Sequence, residues 1–561
     1  MKSIKYIAIA GLTLLVLGLN SCSQEFLDRR PTTAIDNDKA LSTVTNVQSA
    51  TVGLMLYFAT SGYTGRNLPV VGDLITDNVT TKAGNSGHLL DVEMWNISST
   101  LGEIETFWGG SYQIISSAAK VIEACETLSA DANASNDDKK TLDKCKAAAL
   151  TVKAFAEYIL TQYFCLPYSA AGSTLPFNVS TPDNMNGIIL VPKNKPVSAD
   201  DAINANSPLE IATLAETYAH MHEELTDAIN LFKSSGSSDY SGSNAAYFPT
   251  LCMAYTVQAR LYLDQAYFDE TNFEKAYEAA ENALANLPSG AKSDLVDDGQ
   301  KFLEQYRSIS APTQEDILTV NFTTSDNLSA NSINNMFGSY GARVSSTVTS
   351  LFYNKTNDIR SAIYLSKAED DKLEIFSSCG KYPNQDQINN VPVLRVPELY
   401  LIQAEARANI ANSVDDGQYR DAMLATLGVR DTAIHAIADE NERYAQLKSV
   451  YFNHDGDALA YVLEERRREF AAEGHRWFDL RRTKSLLNHN SNADYRISFT
   501  GYPIYAFAFP IPESETNTGA WHNGILGKGT RGQNEFWRQN GDSWAPVYDL
   551  PTDGGNDYAH D

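Results

Sequence analysis

Residues 464–482 read E-E-R-R-R-E-F-A-A-E-G-H-R-W-F-D-L-R-R, and they concentrate groups that could move a proton: Glu469, Glu473, His475 and Asp479. As chemistry, Glu473 or Asp479 would be the acid or base and His475 a shuttle. Two carboxylates working on a glycosidic bond must face one cleft about 5 to 10 Å apart. Glu469 and Glu473, four residues apart, can share a helix face. Six arginines stand among them, however. Guanidinium neighbours favour the ionised carboxylate and depress its pKa, which suits an ion pair better than a general acid. Phe470 and Trp477 fall on one helical stripe with Phe478 beside it, a surface for docking on the protein body. The expected role is structural ion pairing, and catalysis is the alternative.

The elements that must position this block are helical. Residues 104–128 and 142–165 carry apolar residues at steps of three or four, the second through Leu142, Cys145, Ala149, Val152, Ala156, Ile159 and Tyr163. Residues 211–232 place Leu214, Tyr218, Met221, Leu225 and Ile229 on one face. Residues 252–286 read as two helices joined by a short turn. Ala259, Ala266, Ala276, Ala280 and Ala283 permit close contact there, and Tyr262 and Phe273 fill the gaps. This resembles a tetratricopeptide unit, and residues 395–427 resemble a more degenerate one. Isolated helix pairs are the alternative, because no fixed period links the two. Trp108 starts a core stripe with Tyr112 and Ile115. Residues 59–100, 169–207, 322–350 and 485–561 are polar and read as long, ordered loops. The expected fold is mainly α, a tetratricopeptide-like helix-pair scaffold with long irregular loops and an irregular C-terminal region.

The N-terminus reads as a processing segment. Lys2 and Lys5 precede thirteen uncharged residues, 7–19, too few for a comfortable membrane span. Leu19-Asn20-Ser21-Cys22 then looks like a bacterial lipobox, with Cys22 the expected lipidated residue. Ordinary secretory cleavage near Ser21 is the alternative. The expected organisation is a signal peptide at 1–21 and a lipidated tether at 22–40. Two helical regions, 41–300 and 301–561, follow and pack as one globule. Net charge is −26, and loss of the two lysines within residues 1–21 takes it to −28. Such a balance argues against nucleic acid, whose binding needs clustered Lys and Arg, and against electrostatic attraction to anionic lipid. Five cysteines follow Cys22, an odd number without C-x-x-C spacing, so no zinc site is expected. A Cys125–Cys145 bridge is permitted, and buried thiols are the competing reading. No metal or cofactor is expected.

Several motifs together resemble the SusD/RagB family of surface lipoproteins. They are the lipobox followed by F-L-D-R-R-P-T-T at 26–33, G-D-L-I-T-D-N-V at 72–79 and D-I-R at 358–360. V-L-R-V-P-E-L-Y-L-I-Q-A-E-A at 393–406, the arginine-rich block and F-P-I-P-E-S-E-T at 509–516 complete the order. The chain departs from the family after P-I-P, continuing through 517–561 with unfamiliar sequence. The resemblance implies a non-catalytic protein on the outer membrane, facing the extracellular side. It would bind oligosaccharides and act as lid to a SusC-like TonB-dependent transporter. A peptide ligand, as in the RagB branch, and a surface glycoside hydrolase are the alternatives.

A saccharide site needs flat aromatic faces against the sugar ring, with amides and guanidiniums reaching its hydroxyls. Residues 59–100 supply Tyr63, Arg66, Trp95 and Asn96, and residues 330–343 supply Asn335, Phe337, Tyr340 and Arg343. These eight are the candidate ligand contacts, Trp95 foremost. Asp73 and Asp77, inside the 72–79 motif, are expected to fix the loop. Arg395, Glu398, Glu405 and Arg407 read as helix-edge pairs, with plain solvation the alternative.

Overall fold

The computed structural model describes residues 40–516 apart from 82–86, 96, 175–177, 180, 193–210, 239, 241–244, 308–310, 365–379, 384–385, 453–455, 486, 491–497 and 503–507. It also describes a strand pair at 537–540 and 543–546. Cys22, Cys379 and Asn96 therefore lie outside the described residues.

The scaffold begins with α1 (Val44–Phe58) and the short α2 (Asn67–Leu74). Two long helices follow, α3 (Gly102–Ser129) and α4 (Asn136–Phe164). Ser135 caps α4 through a reciprocal capping box with Asp138, satisfying donors that a helix start leaves free. The apolar spacing predicts one buried stripe on this helix. In the structure every residue from Ala147 to Phe164 is buried, because α1 and α3 cover one side and α5 (Leu214–Ser234) the other. A helix enclosed on several sides no longer needs a polar face.

Thr213 and Glu216 form a second capping box, so α5 starts at Leu214 rather than at 211. Residues Ile211–Thr213 instead pair with Asn186–Ile189. The tetratricopeptide-like pair appears as α6 (Leu251–Ala266) and α7 (Asn272–Leu284). Its five alanines are fully buried, which lets the backbones approach. The degenerate unit appears as α8 (Val396–Ala411) and α9 (Gly417–Ala425), with α7 packed on α8. Last come α10 (Ala458–Phe470) and α11 (His475–Arg482), which carry the arginine-rich block. The main apolar core runs from Val47 to Ile511, and a smaller one lies among α8, α9 and α10.

The stretches read as loops hold more regular structure than expected. α2 lies within 59–100 and is wholly buried. Strand β1 (Val79–Thr81) pairs antiparallel with β3 (Ala342–Val344), Thr80 opposite Arg343. That ladder fastens residues 59–100 to residues 322–350. In a separate two-stranded sheet, β2 (Asp316–Val320) pairs with β4 (Val391–Arg395), which runs straight into α8. Cys125, Cys145, Cys165 and Cys252 are free, buried thiols, so no 125–145 bridge forms.

Candidate functional site

The arginine-rich block is buried, and its charges pair across elements. Glu469 accepts from Arg395 at 2.7 Å, Arg430 at 3.0 Å and Arg360 at 3.1 Å. Glu473 takes Arg395 at 2.7 Å and Lys381 at 2.6 Å. Glu315 bonds Arg430, and Asp358 bonds Arg360. Burial alone would raise the Glu469 carboxyl, but Arg430, Arg395 and Arg360 outweigh it and hold the group well below its ordinary value. His475 is buried, stacked on Phe470 at 4.3 Å, and kept well below the usual histidine range by burial and nearby arginines. The void it lines with Arg466 and Asp264 measures about 10 Å³, room for water at most. These groups are enclosed, and the void beside them is too small for a sugar ring. Trp477 is fully buried, its Nε1 donating to the Gln162 carbonyl, and Trp108 is buried with its Nε1 on Glu515.

The pairs expected along helix edges are also internal. Arg260 bonds Glu398 and Arg482 bonds Glu405, each through two hydrogen bonds, while Arg407 reaches Asp416 near the surface. Plain solvation is thereby corrected for Arg395, Glu398 and Glu405: tertiary packing removes their water and supplies counter-charges instead.

This ionic body clasps the first candidate loop. Gly474 starts α11 with φ +82°, and a Cβ there would press into the Leu68 carbonyl; one on Gly72 would press into the Gly474 carbonyl. The α10–α11 turn and α2 thus meet backbone to backbone. Asp73, raised by burial to about 6, accepts from the backbone N–H of Ala472 (2.7 Å) and Arg476 (3.1 Å). Asp77 bonds Arg476 (2.8 Å) and Arg467 (3.2 Å). Burial would raise Asp77 too, but these guanidiniums hold it low.

Raised and lowered carboxyls make opposite demands on pH. Asp73 and Asp316, pushed by burial to about 6 and about 7 from an ordinary 3.8, contribute stability that is complete below 3.8 and lost as pH rises through those values. Glu469, Asp77 and Asp479 are held low, so their contribution is present above their ordinary values and lost as pH falls through the depressed ones. The combined contribution of these five carboxyls should therefore be greatest at about pH 4 and fall toward about pH 7, read from melting followed by circular dichroism. A melting temperature still climbing at about pH 8 would contradict this balance.

Held by this clasp and by the β1–β3 ladder, the two candidate loops meet. Arg66 donates from Nε to Asn67 (2.9 Å) and from a terminal nitrogen to Asn331 (3.3 Å). Burial lowers its pKa, while Glu103 and Tyr340 lie close enough to oppose that. Tyr340 is half-buried and stacks on His88, ring centroids 3.6 Å apart. Arg66, His88, Glu103, Asn331 and Tyr340 thus form one partly exposed patch of an aromatic face, a guanidinium, a carboxylate and an amide. Sequence reasoning missed three of them. His88 and Asn331 are ordinary polar residues of those loops, and Glu103 sits in the first turn of α3.

The other candidates separate by burial. Arg343 is exposed on β3. Trp95 is half-buried at φ +58°, its Nε1 donating to the Ile75 carbonyl at 3.2 Å. Tyr63 is fully buried against Phe58. Phe337 is buried and stacks on Tyr382. Asn335 is buried, donating to the Ser329 carbonyl at 2.7 Å. In this conformation these three are buried among backbone and core atoms and hold the loops. Among the described residues, one group of His and carboxylates could hold a metal ion: Glu157, His220 and Glu224, on the scaffold helices.

Two family models match this chain. One, described as the SusD family, covers residues 372–525. The other, described as starch-binding associating with outer membrane, covers residues 25–263. A curated relative, SusD-like protein P2 of Formosa agariphila, is 27% identical over 189 residues, 32% of this chain. That match spans 34% of the relative's length. A SusD superfamily protein of Bacteroides thetaiotaomicron superposes with a TM-score of 0.65 at 16% identity, over 85% of this chain and 98% of that one. One from Bacteroides vulgatus gives 0.64 at 20% identity, over 84% and 96%. Surface glycan-binding protein A of B. thetaiotaomicron, solved with laminarihexaose, gives 0.57 at 16% identity, over 86% and 98%. With both family models falling on the helices and signature block described above, the chain belongs to the SusD family.

Proposed function

We propose that this chain binds oligosaccharides at the cell surface without making or breaking a bond. It is lipid-anchored at Cys22 and hands its ligand to a SusC-like TonB-dependent transporter, over which it acts as a lid. The observation that carries the reading is the meeting of Arg66, His88, Asn331 and Tyr340, on two loops tied to the scaffold, with Glu103 in the first turn of α3. An aromatic face takes the apolar side of a pyranose, and the guanidinium, carboxylate and amide reach its hydroxyls. Membership of the SusD family and the laminarihexaose complex of a similar protein support a saccharide ligand. Arg343 and Trp95, with Asn96 beside it, flank this patch in sequence and belong to the same proposed site.

The test is calorimetric titration of the full-length protein in detergent with a panel of oligosaccharides. Tyr340→Ala and Arg66→Ala should each weaken binding of the best ligand about tenfold or more, roughly 1.4 kcal/mol. Trp95→Ala should weaken it too, through loss of the Ile75 contact that sets the loop. Unchanged affinity in both Tyr340→Ala and Arg66→Ala would move the site elsewhere. Binding confined to peptides would favour the RagB-like alternative, and turnover of a glycan would favour a hydrolase. Co-purification with a large β-barrel protein from solubilised membranes tests the transporter partnership.

A further inference from the structure

Away from the loops, helices α4 and α5 bury four ionisable groups at one point of contact. Lys153 and Glu157 stand four apart on α4, and His220 and Glu224 four apart on α5. The side chains of Lys153, Glu157 and Glu224 are fully buried, and His220 closes the cluster toward solvent at 17% exposure. Lys153 Nζ lies 2.5 Å from Glu157 Oε1, 2.6 Å from Glu224 Oε1 and 3.2 Å from His220 Nε2. The ammonium therefore occupies the point on which two carboxylates and an imidazole converge.

That point has the shape of a metal site. His220 Nε2 stands 3.1 Å from Glu224 Oε1 and 3.6 Å from Glu157 Oε1. Zinc–ligand bonds of about 2.0 to 2.2 Å in tetrahedral geometry place neighbouring ligand atoms roughly 3.3 to 3.6 Å apart. All three donor atoms lie within 4.8 Å of one another. In this chain the Lys153 ammonium and the His220 imidazole, which burial would lower but Glu157 and Glu224 hold up at about 9, match the two buried carboxylates; with Lys153 withdrawn, a divalent ion and a neutral imidazole would match them instead. The second oxygens, Glu157 Oε2 and Glu224 Oε2, are buried without a hydrogen-bond partner. Ligand strength also fits, because imidazole and carboxylate together suit zinc and its first-row neighbours.

We propose that Glu157, His220 and Glu224 form a transition-metal site whose central position is held in this chain by the ammonium of Lys153, so that withdrawing Lys153 converts the cluster into a zinc site. The lysine then does internally what a structural metal does elsewhere: it pins two helices together through shared anionic ligands.

The test titrates ZnCl₂ into the full-length protein and its Lys153→Met variant by calorimetry, with CoCl₂ absorption reporting coordination. Lys153→Met should bind one zinc at least about a hundredfold more tightly than the parent, and its melting temperature should rise with zinc. Adding His220→Ala to that variant should return affinity to the parent level. A folded Lys153→Met with no gain in affinity overturns the proposal. So does a gain that survives His220→Ala, or a parent that binds zinc as tightly as the variant. If Lys153→Met does not fold alone, refolding from guanidinium decides. Recovery of native circular dichroism only with ZnCl₂ supports the site, and equal yields with and without it overturn it.

Discussion

Glu469→Gln should destabilise the folded chain by about 3 to 5 kcal/mol, the usual result of removing one partner from a buried ionic network. Glutamine preserves the volume, so the loss is electrostatic. Glu469 is the carboxylate that Arg360, Arg395 and Arg430 share, and all three guanidiniums are buried. With the charge gone, Glu465, Glu473 and Glu315 still touch them but cannot replace a ligand common to all three. An amide would also turn a donor toward groups that have only donors to offer. Urea denaturation at neutral pH measures the difference. Lys448→Ala provides the contrast, since its pair with Asp415 is solvent-exposed and should contribute about 0 to 1 kcal/mol. A loss under about 1 kcal/mol for Glu469→Gln would mean that the network is loosely held and that water screens it.

Gly474→Ala should cost nearly as much and should also abolish ligand binding. A left-handed residue that is not glycine costs of order 1 to 3 kcal/mol, and here the added methyl also meets the Leu68 carbonyl and lies 3.1 Å from Pro69 Cα. The turn can escape only by separating from α2, which draws Asp73 away from the N–H groups of Ala472 and Arg476. Residues 59–100 hang from that contact, so Arg66 would lose its place beside Tyr340. Gly236→Ala isolates the conformational part, because Gly236 has φ +72° with nothing within 4 Å of the added atom. Melting temperature and saccharide affinity should both fall in Gly474→Ala, and only the first, slightly, in Gly236→Ala. Equal effects in the two variants would dismiss the close approach as the cause.

How much of this could be read without coordinates depended on the range of the interaction. Helix starts are local: Ser135 with Asp138 and Thr213 with Glu216 sit three residues apart, and the capping geometry follows from the chain itself. The alanine-rich α6–α7 pair was equally plain, because small residues at helical spacing have few other uses. The 59–100 and 322–350 stretches misled in one respect. Their polar, glycine-containing composition hid α2 and the β1–β3 ladder, which exist because partners far along the chain cover them.

The candidate site shows the same division. Tyr63 and Tyr340 are the same residue type in similar loops. One is sealed under Phe58 and the other half-exposed against His88. No spacing rule separates them, because burial is set by what the rest of the chain lays on top.

By itself, the sequence pointed to ion pairing within residues 464–482, since arginines packed among carboxylates favour the ionised form. It also determined the helical scaffold and the family. Only the tertiary structure decided which charges meet. Glu469 finds Arg360 at a separation of 109 residues and Arg395 at 74. Coulomb attraction acts through space in a desiccated interior, and the order of residues along the chain does not encode who will be neighbours there.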